Sequence, residues 1–227
     1  MITCRCKMGY TKNVKNLTVS SIRDLFPTAS VRRYAKNQII CYQSDKPQYV
    51  FFVLSGHIKY YDIDGSGNEK VLHLIGPQNI FPMLYAFGVS SEINGFYATI
   101  DDVEVITIPL ADFHQATETN VKFSNELTRW FLTEIEQLVF RINSFEKTDS
   151  RLKIMHALKY LAVNYAQITG SWYRLDFATT QQFLADFTGL TRETVSNIMN
   201  DLETGQMVRF GKTHRLEINK NALEKIK

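Results

Sequence analysis

The sequence predicts an α+β chain in three parts: an antiparallel β-roll of jelly-roll type, one long helix, and a compact helical unit closed by a β-hairpin. Three observations predict it. Short apolar or alternating runs separated by turn signals fill residues 31–109, an unbroken helical period with a repeated apolar seam follows, and two short amphipathic helices meet at a glycine near the C-terminus. With 227 residues and 44% apolar composition the chain can hold two modest domains, each with its own core. The parts fall at 1–15, a loose basic tail; 16–118, the β-roll; 119–147, the long helix; and 148–227, the C-terminal unit.

After the tail a short helix is expected around Ser20 to Phe26, stopped by Pro27. The strand candidates are 38–42, 49–54, 57–63, 70–74, 97–100 and 103–108. Breaks stand at Asp45-Lys46-Pro47, Ser55-Gly56, Asp64-Gly65-Ser66-Gly67-Asn68 and Gly76-Pro77-Gln78-Asn79, which is the spacing of a small antiparallel sandwich. A helix over roughly Asn120 to Glu146 then carries Phe131, Ile135, Leu138, Ile142 and Phe145 at intervals of 4, 3, 4 and 3, a heptad seam. Such a seam can lie against its own β-roll, but a parallel homodimer is the preferred reading. Thr148-Asp149-Ser150 forms a hinge, and a helix from Ser150 to Ala166 presents Leu152, Met155, Leu158 and Leu161.

The stretch Gln181 to Asn200, QQFLADFTGLTRETVSNIMN, carries the most chemistry. Thr179 with Gln182 reads as a capping box, the helix after it buries Phe183, Leu184 and Phe187, and small Ala185 lets a second helix cross closely. Gly189 supplies a turn, and Thr191 caps the next helix. In that helix Val195, Ile198, Met199 and Leu202 share one face, while Arg192, Glu193, Ser196, Asn197 and Asn200 line the other. An ordinary helical hairpin with a solvated face is the competing reading. Against it stands the conjunction of small residue, glycine four residues later and β-branched residues at 195 and 198, the register of a helix-turn-helix. Met207 to Phe210 and Arg215 to Ile218 alternate around Gly211-Lys212-Thr213-His214 as a wing would, so the C-terminal unit is expected to be a winged helix that binds double-stranded DNA.

Charge agrees with that placement: residues 148–227 hold 11 Lys and Arg against 8 Asp and Glu, while 1–147 hold 15 of each. No apolar run approaches a membrane span and MITCRCKMGY lacks a secretion signal, so the expectation is a cytoplasmic protein with no membrane contact. Cys4, Cys6 and Cys41 are an odd set with no pairing framework, and Cys4-x-Cys6 has neither zinc-knuckle spacing nor further cysteines to complete a metal site.

In the order β-roll, long helix and winged helix, the chain resembles the family of transcription regulators typified by the cyclic-AMP receptor protein and the fumarate-nitrate reduction regulator. The most specific match is Gly189-Leu190-Thr191-Arg192-Glu193-Thr194-Val195-Ser196; Val53 to Lys59, and Asp62 to Gly65 leading into Glu69 to Leu72, support it. The resemblance implies a cyclic-nucleotide-binding-like β-roll, a homodimer on a palindromic operator, and RNA polymerase as a further partner. It also implies that Arg192 reads guanine and Glu193 cytosine in the major groove, with Ser196 beside them. Asn197 departs from the family, where arginine is usual, and favours an adenine edge. Thr179, Thr191, Arg209, Lys212 and Thr213 are the candidates for phosphate contact.

The larger departure is in the sensor. Nucleotide-binding members carry a glycine-glutamate cassette and an arginine-serine pair, whereas Phe81-Pro82-Met83-Leu84-Tyr85-Ala86-Phe87 and Asn94-Gly95-Phe96-Tyr97-Ala98 stand here. With no cation to meet a phosphate, control by cyclic AMP is not expected, and without four cysteines neither is an iron-sulfur cluster; no cofactor or metal is expected. His73, Phe81, Met83, Leu84, Tyr85, Phe87 and Tyr97 then form either a pocket for an apolar or aromatic small-molecule effector or a filled core. A cupin-like metal-dependent enzyme is the rival on this fold, but His57, His73 and His114 include no His-x-His pair and no nearby glutamate completes a ligand set, so no enzyme activity is expected. A pure protein-interaction adaptor, the other rival, gives no reason for Arg192 and Glu193 to open a helix beside a wing.

Overall fold

The structure is a computed structural model that describes residues 17–145, 148–211 and 215–224. The first helix, α1 (Val19–Leu25), is capped by Thr18, which accepts from Ser21 N while Ser21 returns the bond. Eight strands follow: β1 (Ser30–Tyr34), β2 (Ile39–Cys41), β3 (Tyr49–Ser55), β4 (Ile58–Ile63), β5 (Glu69–Ile75), β6 (Ile80–Phe81), β7 (Phe96–Thr99) and β8 (Val103–Pro109), with the single turn α2 (Met83–Ala86) between β6 and β7. They form two antiparallel sheets in the orders β1-β8-β3-β6 and β2-β7-β4-β5. The chain continues through α3 (Leu110–Thr119) and α4 (Val121–Phe145) to the C-terminal unit: α5 (Ser150–Tyr165), β9 (Ala166–Thr169), β10 (Trp172–Ala178), α6 (Gln181–Thr188), α7 (Arg192–Thr204), β11 (Val208–Phe210), β12 (Arg215–Asn219) and α8 (Lys220–Glu224).

The near-continuous apolar run of β3 follows from burial on both of its faces. Phe51 and Val53 point into the roll with Ile58, Ile75, Phe81 and Val105, whereas Val50 and Phe52 point outward. There they meet α1, α3 and α4 through Ile22, Phe113, Phe123, Leu127 and Trp130. The outer face of the second sheet has a different cover. Tyr61, Val71, Leu74 and Ala98 belong to one continuous core with the C-terminal unit, whose own contributions include Leu158, Leu161, Leu175, Phe177, Leu184, Val195 and Leu216. One sheet is therefore roofed by helices of the N-terminal part and the other by the winged helix.

The inner face of α4 changes character along its length. Phe123, Leu127 and Trp130 are buried in the outer core of the roll. Further along, Glu134 pairs with His73 Nε2 at 2.9 Å, Gln137 faces the Tyr160 hydroxyl, and Arg141 donates to the carbonyls of Val71 and Leu72. The opposite face carries Leu132, Ile135, Leu138, Val139 and Ile142, all exposed. The expected seam thus lies on that outward face at Ile135, Leu138 and Ile142; Phe131 is half-buried against Phe87 and Trp130, and the side chain of Phe145 lies outside the described residues.

Several expectations need correction. In α5 the buried residues are Ile154, His156, Ala157, Leu158, Tyr160, Leu161, Ala162 and Tyr165, and Leu152 is exposed. The hairpin of β9 and β10, the edge strand β1 and the helix α3 were not anticipated. Cys41 is a core residue: burial, with the Asp45 charge adding to it, pushes its thiol up to about 12, so it stays protonated and unreactive.

Candidate nucleic-acid interface

Local chemistry builds the two-helix motif. Thr180, rather than Thr179, caps α6 by accepting from Phe183 N at 3.0 Å. Gly189 ends that helix at φ +69°, in the left-handed region, and its N–H and that of Leu190 both reach Ala185 O. Thr191 caps α7, accepting from Thr194 N at 3.2 Å. Val195, Met199 and Leu202 are buried and Ile198 is half-buried, which leaves Arg192, Glu193, Asn197 and Asn200 exposed and Ser196 partly so. Among the described residues none of the side chains of Arg192, Glu193, Ser196 and Asn197 takes part in an intramolecular hydrogen bond or ion pair. The helix therefore offers a cationic fork, a carboxylate and an amide at its amino-terminal end, the donor and acceptor types that read base edges. Glu193 also lies in the first turn, where the helix dipole favours a negative charge.

The wing closes as β11 pairs antiparallel with β12, Val208 opposite Ile218, and Gly211 N bonds Arg215 O at 2.9 Å. Lys212 and Thr213, expected to contact phosphate, lie outside the described residues. Two of the other phosphate candidates are not free to act as expected. Thr179 is only 3% exposed, with its hydroxyl sealed from solvent, because the cap falls one residue later and turns Thr179 inward; it is withdrawn as a phosphate ligand. Arg209 is half exposed, but its Nε donates to Glu217 at 2.6 Å and its guanidinium lies 4.1 Å over the Trp172 ring, so it stiffens the wing. Thr191 is exposed, with its hydroxyl engaged in the cap.

Of the seven residues expected to share an effector pocket, Phe81, Tyr85 and Tyr97 pack together in the inner core and the other four lie apart from it. Phe81 is sandwiched between Phe51 at 5.0 Å and Tyr97 at 5.1 Å, and Tyr97 packs in turn on Tyr60 at 4.7 Å in a tilted arrangement, so four rings run in succession through the roll. The single turn α2 sends Met83 into the outer core and leaves Leu84 and Phe87 exposed; Tyr85 packs against the inner core. His73 faces α4 through Glu134. Burial moves the Tyr97 phenol far above its ordinary range, as expected for a ring inside a core. Residues 71–121 contain no Lys or Arg at all. His57, His73 and His114 are separately engaged, His57 with Asp101 at 2.9 Å, His73 with Glu134, and His114 with the Ala86 carbonyl at 2.6 Å. Among the described residues no group of three or more His, Cys, Asp or Glu could hold a metal ion, and no described helix is long and apolar enough to cross a membrane.

The junction between roll and winged helix was invisible in the sequence. Arg141 contacts the carbonyls of Val71 and Leu72 and, at 3.4 Å, that of Phe187, while its guanidinium lies 4.3 Å over the Phe187 ring. Burial lowers its pKa to about 10 against the opposing influence of Tyr160 and Tyr165, so it is a cation at neutral pH. Nearby the Tyr165 hydroxyl donates to Leu74 O, Gly76 approaches the Tyr165 ring closely enough that a Cβ would come within 3.2 Å, and His57 packs 4.8 Å from Phe177.

Comparison with known proteins agrees with this architecture. Residues 31–120 match the family model described as cyclic nucleotide-binding domain, and 153–226 match that described as Crp-like helix-turn-helix domain. The chain is 29% identical over 200 residues to the HTH-type transcriptional regulator ArcR of Staphylococcus haemolyticus, covering 87% of this chain and 86% of that one. It is 23% identical to the global nitrogen regulator of a Nostoc species, covering 80% and 82%. The fold is that of FixK2 from Bradyrhizobium japonicum, with a TM-score of 0.72 at 18% identity over 88% of this chain and 98% of that chain. With a β-roll of the cyclic nucleotide-binding type, a long connecting helix and a Crp-like helix-turn-helix in succession, the chain belongs to the CRP/FNR family of DNA-binding transcription regulators.

Proposed function

We propose that the protein works as a homodimer that reads an inverted-repeat operator in the cytoplasm, and that cyclic AMP does not control it. The observation that carries this reading is the amino-terminal end of α7, where Arg192, Glu193 and Asn197 are exposed and, among the described residues, unpaired, on a helix whose other face is buried. Arg192 donates to guanine N7 and O6, Glu193 accepts from cytosine N4, and Asn197 pairs with adenine, with Ser196 alongside. Thr191 at the start of α7, together with Lys212 and Thr213, which lie between β11 and β12 in sequence, meets phosphates and sets register. Thr180, exposed at the start of α6, replaces Thr179 in that group. Transcription control then follows from engaging or excluding RNA polymerase at the promoter.

The dimer reading is supported by the outward stripe of α4, because Leu132, Ile135, Leu138, Val139 and Ile142 form a contiguous aliphatic surface that water solvates poorly. Pairing two such helices in parallel places two recognition helices about one DNA turn apart, roughly 34 Å. The nucleotide reading is supported by the ring stack Tyr60-Tyr97-Phe81-Phe51 and by the lack of a cation between Lys70 and Lys122, since an unpaired phosphate in such a site would be costly to bury. Of the two sensor readings, the packing favours a filled core over an effector pocket.

Selection from a pool of random duplexes tests the proposal. The enriched sites carry two-fold symmetry with half-site centres about 10 bp apart, whereas enrichment of a single asymmetric site contradicts it. Arg192→Ala costs about 1–3 kcal/mol and relaxes preference at one guanine, while Lys212→Ala weakens all sequences alike and lowers the salt slope by about 1. Millimolar cyclic AMP or cyclic GMP leaves Tm and DNA affinity unchanged, because a ligand bound only by the folded state must stabilise it. A thermal shift with either nucleotide overturns that part.

A further inference from the structure

One side chain ties three working parts of this molecule together. Arg141 arises from α4, the helix that carries the outward aliphatic stripe. Its guanidinium reaches two successive carbonyls of β5, those of Val71 and Leu72. Both are accessible because the ladder between β4 and β5 slips there: Tyr60 pairs with His73 and Tyr61 with Val71, so Leu72 is the extra residue of a bulge. The same guanidinium reaches Phe187 O and covers the Phe187 ring. Phe187 stands in the last turn of α6, two residues before Gly189, where helix carbonyls lack intrahelical partners and a cation is favoured by the helix dipole.

We propose that Arg141 is a positioning residue for DNA recognition: by clamping the carboxyl-terminal end of α6 to the β5 bulge and to α4, it fixes the separation of the two recognition helices. The inference deepens the dimer reading above and rests on it. A planar fork with five fixed donors suits three carbonyls on two elements, whereas a lysine ammonium brings charge without that directional grip. Since α7 follows α6 after only Gly189, Leu190 and Thr191, a shift of the end of α6 is carried directly into the recognition helix.

The test uses the full-length protein and a duplex library in which the two half-sites selected by the wild type are separated by every spacing from about 8 to 13 bp. Wild type prefers one spacing. Arg141→Gln and Arg141→Lys keep the half-site sequence preference and the dimer mass by light scattering, but their discrimination between the best and neighbouring spacings falls about tenfold. A merely structural role lowers Tm and weakens every spacing in proportion, leaving the ratio between spacings unchanged, and that result overturns the proposal. So does an Arg141→Gln protein with the wild-type spacing profile; if that variant does not fold, the milder Arg141→Lys decides by the same ratio. Absence of any spacing preference in the wild type itself removes the dimer reading and this proposal with it, an outcome recognisable before any variant is made.

Discussion

The inner face of α4 buries Phe123, Leu127 and Trp130 against the first sheet, and the same face a turn later presents Glu134, Gln137 and Arg141 to β5 and the winged helix. The two stretches share one helix and one spacing, yet they hold their neighbours by different means. Apolar burial is strong and tolerant of direction, so the first stretch makes α4 an integral part of the roll. Hydrogen bonds and ion pairs add less net stability once desolvation is counted, but they demand particular partners at particular angles. The apolar stretch thus makes α4 part of the roll, while the polar stretch adds directional contacts to a winged helix already seated on the second sheet by a shared apolar core.

The largest expected effect comes from the third surface of α4, its outward stripe. Ile135→Asp or Leu138→Asp places a charge in the proposed interface, so operator affinity falls toward the non-specific level, about a thousandfold or more, while circular dichroism reports an intact roll. A variant that remains a dimer by light scattering moves the interface elsewhere. Next comes the apolar stretch: Leu127→Ala costs about 2–5 kcal/mol in urea unfolding. A loss well below that range would mean that α4 is not integral to the roll, and the comparison would break.

The polar stretch responds more weakly and more selectively. Glu134→Leu leaves His73 without its partner, and costs about 1–3 kcal/mol; Glu134→Gln, which still accepts a hydrogen bond, recovers most of that loss. Equal losses for the two variants would show that packing, not polarity, matters at that position. The smallest effect is expected at Asp186 in α6, whose carboxyl is held above the ordinary aspartate range by burial, with the Gln182 hydrogen bond opposing. A raised folded-state pKa means the ionised form is disfavoured in the fold, so Asp186→Asn raises Tm slightly at pH 7. The gain fades as pH falls through the raised pKa of the wild-type carboxyl, which then takes up its own proton. A gain that is independent of pH would assign the effect to something other than the charge.

The sequence announced those features whose causes are local. Gly189 in the left-handed region, Thr191 as a cap and the buried Val195, Met199 and Leu202 each depend on neighbours within a few residues, and the motif was legible except for its first cap. Even there, two adjacent threonines made the first cap ambiguous, because either could precede Phe183; burial of Thr179 decides for Thr180. The β10 strand was missed although Leu175 and Phe177 alternate with Arg174 and Asp176 after the turn at Gly170, a signal that period-2 counting would have found. β1 had no such signal, being an exposed edge strand apart from its half-buried end. Pocket and filled core were left as alternatives because composition cannot say which rings of an aromatic cluster face one another, and here Tyr60, Tyr97, Phe81 and Phe51 pack in succession. The Arg141 clamp depends on a strand bulge and a helix end 69 and 46 residues away in sequence, so no window along the chain could contain it.

The central claim is that α7 reads guanine in the major groove at two symmetric places, and methylation interference tests it most directly. Duplexes carrying the selected operator are methylated sparsely at guanine N7, and those that the protein still binds are separated from those it does not. Interference is expected at one guanine in each half-site, about one helical turn apart, and both interferences are lost in Arg192→Ala. Binding that is indifferent to guanine N7 methylation, or interference confined to one half-site, contradicts it.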